Sequence, residues 1–386
     1  MTGGPHLDAA VRLLGDLAGP HGIHASLADT ANYRAVFARD AVMAGVAGLL
    51  MRDERVTGGL VRTLRQLRDL QGREGQVASN YELGDGAPRV SFGTLAPRLD
   101  AATWYLVGIA LGARAGVLDA AEFEASAHAV VRLLDALEYN GRHLLYVPAG
   151  GNWADEYVYE GYILYDQVLR AWALRLLGDV HDEPAWLDKA DRIERRIDES
   201  YWPDDREACG HPLAAHSPVR RGEMFDLAAC SLLALSGLVP TRAAAALDWI
   251  ARHYLDGGAL PPAFAPVIDE GHPDWPALRR YHLHGFRNRP YEYHNGGVWP
   301  IWLGWLALAL ARTGRLAELE RLRGLVDERL GAVADFGFEE YLHGLTGAPG
   351  GTPRMAYTAT GIVFLALADS AAARRLLATE PSVTAR

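Results

Sequence analysis

Twelve stretches of helical periodicity run from one end of this chain to the other, and they alternate between two kinds. They cover about residues 5–18, 40–52, 55–71, 100–115, 119–138, 159–177, 183–200, 222–237, 240–254, 296–313, 315–331 and 355–369. Those starting near 40, 100, 159, 222, 296 and 355 are apolar nearly all round, with Val298-Trp299-Pro300-Ile301-Trp302-Leu303-Gly304-Trp305-Leu306 the extreme case. Those near 55, 119, 183, 240 and 315 carry charge on one face, as in Glu318-Leu319-Glu320-Arg321-Leu322-Arg323. A helix apolar all round must be buried on every side, whereas an amphipathic one lies at the surface. Six of each in alternation predict an all-α fold of two concentric rings, an (α/α)6 barrel of six inner and six outer helices. The amphipathic helix 5–18 closes the outer ring. No low-complexity linker divides the chain, so residues 1–386 are expected to form one domain. No convincing period-2 series is present, although the loops 142–148 and 258–268 leave room for short strands.

Composition excludes several functions. Acidic residues outnumber basic ones 48 to 38, for a net charge of -10. Without a basic cluster, such a chain is a poor phosphate-backbone binder, and no nucleic-acid partner is expected. Lys189 is the only lysine, which excludes a P-loop lysine and argues against a Schiff-base enzyme. It sits in the charged run Asp188-Lys189-Ala190-Asp191-Arg192, which reads as a solvated helix face. The two cysteines, Cys209 and Cys230, make neither a disulfide framework nor a zinc site and read as buried thiols. The start Met1-Thr2-Gly3-Gly4-Pro5-His6 lacks a basic segment followed by an apolar one, and the longest apolar stretch, Val298 to Ala311, falls short of a bilayer span. A soluble, cytoplasmic protein with no membrane partner is therefore expected; a homo-oligomer is left open.

Polar and aromatic residues gather where the apolar helices begin. The openings read Arg39-Asp40, Pro97-Arg98-Leu99-Asp100, Gly151-Asn152-Trp153-Ala154-Asp155-Glu156, Glu223 with Asp226, Tyr291-Glu292-Tyr293-His294-Asn295-Gly296-Gly297, and Phe338-Glu339-Glu340-Tyr341. In a ring of parallel inner helices these N-termini meet at one mouth. One Asp at such a position is by default a helix cap. Acids at all six openings, with Trp or Tyr close to four of them, exceed what capping requires. Carboxylates beside aromatic rings, without a cofactor motif, point to carbohydrate: flat rings cover the C–H faces of a sugar while Arg, Asp, Asn and His satisfy its hydroxyls. Arg39, Asp40, Asp100, Trp153, His294, Asn295 and Trp299 are therefore expected to line one pocket. Gln76, Trp104, Tyr162 and Tyr357 join them as substrate-binding candidates. Trp302 and Trp305 lie deeper and read as core. No His-Glu-x-x-His spacing occurs, and neither metal nor cofactor is expected.

Four segments carry a family resemblance. They are Tyr33-Arg34-Ala35-Val36-Phe37-Ala38-Arg39-Asp40; Trp153-Ala154-Asp155 with Tyr159-Glu160-Gly161-Tyr162 and Asp166-Gln167; Tyr293-His294-Asn295-Gly296-Gly297-Val298-Trp299-Pro300; and Glu339-Glu340-Tyr341 with Tyr357-Thr358-Ala359-Thr360-Gly361. Together they resemble the alkaline/neutral invertases and, more broadly, the inverting (α/α)6 glycosidases that include trehalases and processing α-glucosidases. The third segment is the most specific match. The resemblance implies a glycosidase with Asp155 as general acid and Glu340 as general base. It further implies a protonated Asp155, with burial or Glu156 raising its pKa, an ionised Glu340, and carboxyls about 6.5–9.5 Å apart. Glu339 remains an alternative base and Asp100 the rival acid. Glu156 and Tyr157 replace the family's basic residues after the acid, and the chain is shorter than those invertases. This leaves sucrose, an α-glucoside and an amylo-1,6-glucosidase-like substrate all open. A sugar epimerase of the N-acylglucosamine epimerase type would use paired histidines on the same barrel, and a non-catalytic sugar-binding protein would keep only the aromatics. Which carboxyls and histidines line the mouth separates these readings.

Overall fold

The computed structural model describes residues 5–94, 96–138, 141–202, 210–280 and 285–378. Cys209 lies outside them; Cys230 is buried. The helices are α1 (Pro5–Leu17), α2 (Ala38–Met51), α3 (Glu54–Asp69), α4 (Leu99–Arg114), α5 (Glu124–Ala136), α6 (Leu164–His181), α7 (Pro184–Ser200), α8 (Leu227–Ser236), α9 (Pro240–His253), α10 (Trp275–Leu278), α11 (Pro300–Arg312), α12 (Leu316–Gly331), α13 (Ala356–Leu367) and α14 (Ala371–Leu376). All twelve expected helices are present. The short α10 and α14 were too brief for periodicity to reveal. Helices α6, α8 and α11 begin four or five residues later than expected, because extended segments and turns precede them.

Burial follows the pattern of the sequence. Every residue of α8 is buried, as is α11 from Pro300 to Leu310, so neither has a face to offer water. The α3 helix instead buries Val56, Leu60, Thr63, Leu64 and Leu67 at helical spacing, exposes Arg55 and Arg65 and leaves Arg62 and Arg68 half-buried. The all-round apolar helices contact one another in the order α2, α4, α6, α8, α11, α13 and back to α2, a closed cycle. The amphipathic helices pack outside it: α3 on α2, α7 on α6, α9 on α8, α12 on α11 and α1 on α13. The 3-10 turn Ala120–Phe123 leads into α5 and touches α4 and α6.

Two small-residue contacts draw α11 and α13 together. A side-chain carbon on Gly361 would collide with the Pro300 carbonyl, and one on Gly304 would meet the Gly361 carbonyl at 2.6 Å. Trp104, Trp172 and Trp305, from α4, α6 and α11, meet in the middle with ring centroids 5.4–6.4 Å apart. They fill the ring interior with apolar volume, so the ring is packed below its mouth.

The strands are short. Val36–Phe37 pairs with Asn80–Glu82, which pairs with Arg89–Ser91; Tyr162–Ile163 pairs with Ala215–Ser217, which pairs with Arg220–Gly222. Phe225–Asp226 pairs with Phe264–Ala265, inside one of the loops where a strand was expected, and Tyr341–Leu342 pairs with Pro349–Gly350. In the other such loop Val147 forms only an isolated bridge, to Gly161. These ribbons lie just before the starts of inner helices and hold the connecting loops over one end of the ring.

Lys189 does not lie on a solvated face. Its ammonium group bonds the buried carboxylate of Glu138 at 2.6 Å, and the fully buried Arg170 guanidinium pairs with the same carboxylate. The charged run around it is amphipathic, and its lysine points inward to neutralise an acid that could not otherwise be buried. Among the described residues, no helix is long and apolar enough to cross a membrane.

Candidate active site

A cavity of about 670 Å³ opens at the N-terminal end of the inner ring. Arg39 and Asp40 reach it from the first turn of α2, Asp100 from the first turn of α4, Trp299 from the residue before α11 and Tyr357 from the first turn of α13. Loops supply Trp153 and Asp155, Tyr293, and Glu340. Eight of the thirteen expected site residues therefore converge: Arg39, Asp40, Asp100, Trp153, Asp155, Trp299, Glu340 and Tyr357.

The floor is charged and buried. Arg39 Nη1 donates to Asp100 Oδ2 at 3.0 Å, its Nε lies 3.3 Å from Asp40 Oδ1, and the guanidinium stands 5.7 Å over the Tyr357 ring. Burial alone would depress the guanidinium, but Tyr357, Asp100 and Asp40 hold it above its ordinary value. Burial raises Asp40, and Arg39 opposes the shift. Asp100 Oδ1 and Trp153 Nε1 are buried without a hydrogen-bond partner in the protein. Arg39 Nε, Asp40 Oδ1 and Tyr357 Oη lie close together without completing hydrogen-bond geometry. Polar atoms stranded this way cost about 1–3 kcal/mol each unless something bonds them. Hydroxyl groups have the donor and acceptor chemistry to do so.

Glu340 lines the same cavity, buried and within reach of the Asp40 charge. Its Oε1 accepts from the Tyr33 hydroxyl at 2.8 Å and its Oε2 from the Thr352 amide at 2.8 Å. Gly351, at φ +82°, permits this approach, since any side-chain carbon there would strike the Glu340 carboxylate. Burial pushes the Glu340 carboxyl up, while the Thr352 amide, the Tyr33 hydroxyl and the Arg287 charge pull it back toward ionisation. Its neighbour Glu339 does not line the cavity and accepts instead from the Gly337 amide at 3.1 Å.

Asp155 lies nearer the rim, with its side chain 32% exposed. Arg98 Nη2 donates to its Oδ2 at 2.6 Å. The charge beside Asp155 is a guanidinium, and Glu156 faces Arg287 at 3.6 Å.

Five expected residues lie off the cavity, for identifiable reasons. Trp104 is one helical turn deeper than Asp100, within the tryptophan core, and donates through Nε1 to Tyr165 Oη at 2.8 Å. His294 is fully buried behind the wall, near-parallel to Trp299 at 5.4 Å and edge-on to Trp153 at 5.0 Å. Burial, with the charges of Arg287, Arg39 and Arg98, holds it well below its ordinary pKa. Asn295 spends its amide on backbone, accepting from Ile268 N and donating to the Ile268 and Asn288 carbonyls. Gln76 accepts from the Glu74 amide in its own turn. Tyr162 packs against Tyr146 and His216. Trp299 lines the cavity but is not an open platform: the residue is 4% exposed, and its Nε1 donates to Tyr293 O at 2.9 Å.

Sequence reading did not nominate Tyr33, Arg98, Arg287 or Asn152, all of which line the cavity. Tyr33 and Arg98 stood inside or beside motifs already noted, so proximity in sequence was the available signal; Arg287 had none. Asn152 Nδ2 donates at 2.8 Å to the buried Asp166, which burial and Asp100 raise well above its ordinary range.

Asp226 lies off the cavity and caps α8, its Oδ1 accepting from the Ala229 amide at 3.0 Å. Burial pushes this carboxyl up to about 6 against the hydrogen bonds from Tyr159 and the helix amides. A folded-state pKa above the unfolded one stabilises the fold at low pH, and that contribution is lost as pH rises through about 6. Asn preserves the cap without a titratable charge. Relative to wild type, Asp226→Asn is therefore expected to gain roughly 2 kcal/mol between about pH 4 and about pH 8. Urea unfolding midpoints at the two pH values check this; an unchanged difference would refute it.

The described residues lining the cavity include four carboxyls, Asp40, Asp100, Asp155 and Glu340, and three guanidinia, Arg39, Arg98 and Arg287, with no histidine. Such a lining suits acid–base work on a polar ligand and does not supply the paired histidines of the epimerase reading.

Comparison with known proteins agrees with this chemistry. A model of the mannosylglycerate hydrolase MGH1-like glycoside hydrolase domain matches residues 112–359. No curated protein sequence matches the chain. Among solved structures, mannosylglycerate hydrolase from Thermus thermophilus in complex with glucose is similar at a TM-score of 0.68 and 15% identity, over 94% of this chain and 99% of that one. A rhamnosidase from Klebsiella oxytoca with rhamnose bound gives 0.64 at 12% identity, over 94% of this chain and 64% of that one. A glycosidase carrying a glutamate-to-alanine substitution gives 0.64 at 17% identity, over 94% of this chain and 95% of that one. At these identities the structural likeness is one of fold.

Proposed function

Because the chain belongs to the mannosylglycerate hydrolase MGH1-like glycoside hydrolase family, we propose that it cleaves a small O-glycoside with inversion, using Asp155 as general acid and Glu340 as general base. We read the closed helical cycle and its outer layer as an (α/α)6 barrel. The likeness to invertases noted in the motifs resolves at the level of glycoside hydrolase, and the family match lies with the MGH1-like group.

The observation that carries the mechanism is the convergence of Asp155 and Glu340 on one cavity, from loops far apart in the chain, above a floor of Arg39, Asp40 and Asp100. The sugar ring lies on that floor, where its hydroxyls bond the Asp100 and Trp153 atoms that lack protein partners. Asp155, on the rim, protonates the oxygen of the departing group. Glu340, buried and hydrogen-bonded, takes a proton from a water that attacks the opposite face of the ring. This demands a carboxyl separation of about 6.5–9.5 Å in the closed complex. Two hydrogen bonds to Glu340 favour its ionised form while burial keeps it basic, and a base needs both.

The rim favours an acidic leaving group. Arg98 lines the cavity beside Asp155, Arg287 lines it facing Glu156 with its charge also reaching Tyr33 and Glu340, and guanidinium forks match carboxylates. The family's name and the Thermus thermophilus relative point to the same class, a sugar linked to glycerate. The test is hydrolysis of mannosylglycerate, glucosylglycerate, sucrose, trehalose, maltose and isomaltose by purified protein, followed by sugar release. A glycosylglycerate is expected to be cleaved with kcat/KM at least about tenfold above any neutral disaccharide. Exclusive cleavage of sucrose would return the chain to the invertase reading.

A further inference from the structure

We propose that Arg98 is a latch on the acid: it holds Asp155 in an ion pair in the free enzyme and releases it when the carboxylate of an acidic leaving group takes the guanidinium. The inference rests on the reading of Asp155 and of an acidic aglycone given above, and adds a positioning residue that couples recognition to proton delivery.

The geometry is that of a clasp. Arg98 is the residue immediately before α4, so its backbone is fixed by the helix. The start of α4 is tied to the acid's loop by the Leu99 amide, which donates to the Gly151 carbonyl at 2.8 Å. Across this junction the guanidinium bonds the same loop twice, through Nη1 to the Gly150 carbonyl and through Nη2 to Asp155 Oδ2 at 2.6 Å. Both partners line the cavity near its rim, with side chains 21% and 32% exposed, whereas Asp100 at the floor is 1% exposed. A leaving group held at the rim therefore meets the ion pair directly.

The pairing conflicts with acid catalysis. A guanidinium in contact favours the carboxylate form and occupies one of the two oxygens, Oδ2. Of the other charged and titratable groups around Asp155, Arg287 faces Glu156 at 3.6 Å and stands 5.2 Å over the Tyr293 ring. The Tyr293 hydroxyl feels the Asp155 charge, and Asp100 and Glu340 share the cavity. Arg98 is thus the cation in direct contact with the acid. Its planar fork can turn from one carboxylate to another without losing charge-assisted bonds. A neutral leaving group offers no such exchange.

Once released, Asp155 takes a proton from solvent. It gives that proton to the glycosidic oxygen as the carbon–oxygen bond breaks. The attacking water forms the new bond at the anomeric carbon and loses its proton to Glu340. Glu340 then gives that proton up to solvent, so the net reaction is glycoside plus water to free sugar plus hydroxy acid.

The experiment compares wild type, Arg98→Gln and Arg98→Lys on the glycosylglycerate that wild type cleaves and on the matching glycosylglycerol, in which CH2OH replaces the carboxylate. Wild type is expected to prefer the glycerate by on the order of 100-fold in kcat/KM. Arg98→Gln is expected to lose on the order of 100-fold on the glycerate compound and to gain several-fold, roughly, on the glycerol compound. Arg98→Lys, which keeps the charge, should retain part of the preference. An equal loss on both substrates, or a wild type that prefers the glycerol compound, would overturn the latch while leaving the hydrolase reading intact. A wild type that cleaves neither compound but cleaves a disaccharide overturns the substrate class, and the latch with it.

Discussion

Glu340→Gln is expected to lower kcat by about 10³–10⁴-fold with little change in ground-state binding. The substitution is nearly isosteric, and the site can accommodate it. The Gln carbonyl oxygen can accept from the Thr352 amide, and the Tyr33 hydroxyl can turn to accept from the Gln NH2. What is lost is the basic oxygen that takes the water's proton. Because this step is needed whatever the leaving group, the loss must extend to the glycosyl fluoride of the same sugar. Added azide should give a product of inverted configuration at most slowly. The same assignment fixes the acidic limb of the wild-type pH profile. Burial raises Glu340, so the group binds a proton, and stops acting as a base, at a higher pH than an ordinary glutamate. Tyr33→Phe removes a donor to the carboxylate, raises it further and moves that limb toward neutrality. Measured kcat/KM against pH decides the matter. A Glu340→Gln variant with near-wild-type kcat would remove this residue from the chemistry.

How the chain could be read in advance depended on which physical signal each feature leaves. Inner and outer helices were legible because burial on all sides and burial on one side write different patterns, as Val298–Leu306 and Glu318–Arg323 show. The mouth was legible because carboxyls such as Asp40 and Asp100 recur in the first turns of fully buried helices, where an acid is costly without a purpose. Depth was not legible. Asp100 and Trp104 lie one turn apart on the same helix, yet the first lines the cavity and the second is core, because the floor falls between them. Contacts between loops were not legible either. Arg98 reaches Asp155, and Tyr33 reaches Glu340 across 307 residues, and no periodicity encodes such meetings. The motif containing His294 and Asn295 misled in an instructive way. Its specificity as a pattern reflects the hydrogen bonding and close packing of a buried loop, with Asn295 clamping Ile268 and Gly297 tight against the Tyr293 carbonyl. Lys189 misled for the converse reason: a charge on an amphipathic helix looks solvated until its partner, the buried Glu138, comes from another helix's end.

Asp155→Asn separates the acid from the base and is the sharper test of the pair. An amide cannot deliver a proton, so hydrolysis of a glycoside with a poor leaving group, such as an alkoxide of a hydroxy acid, is expected to fall by about 10³-fold or more. Fluoride leaves with little help from an acid. The glycosyl fluoride of the same sugar should therefore lose no more than about tenfold in kcat, in contrast to its behaviour with Glu340→Gln. Binding should survive, because the Arg39, Asp40 and Asp100 floor is untouched and Asn can still accept from Arg98 through its carbonyl oxygen. The measurement is kcat and KM on both substrates at several pH values. An equal loss on the two leaving groups would mean that Asp155 holds the loop and does not donate. In that case the acid is Asp100, which lines the same cavity and whose Oδ1 has no protein partner, and Asp100→Asn would then show the leaving-group contrast in its place.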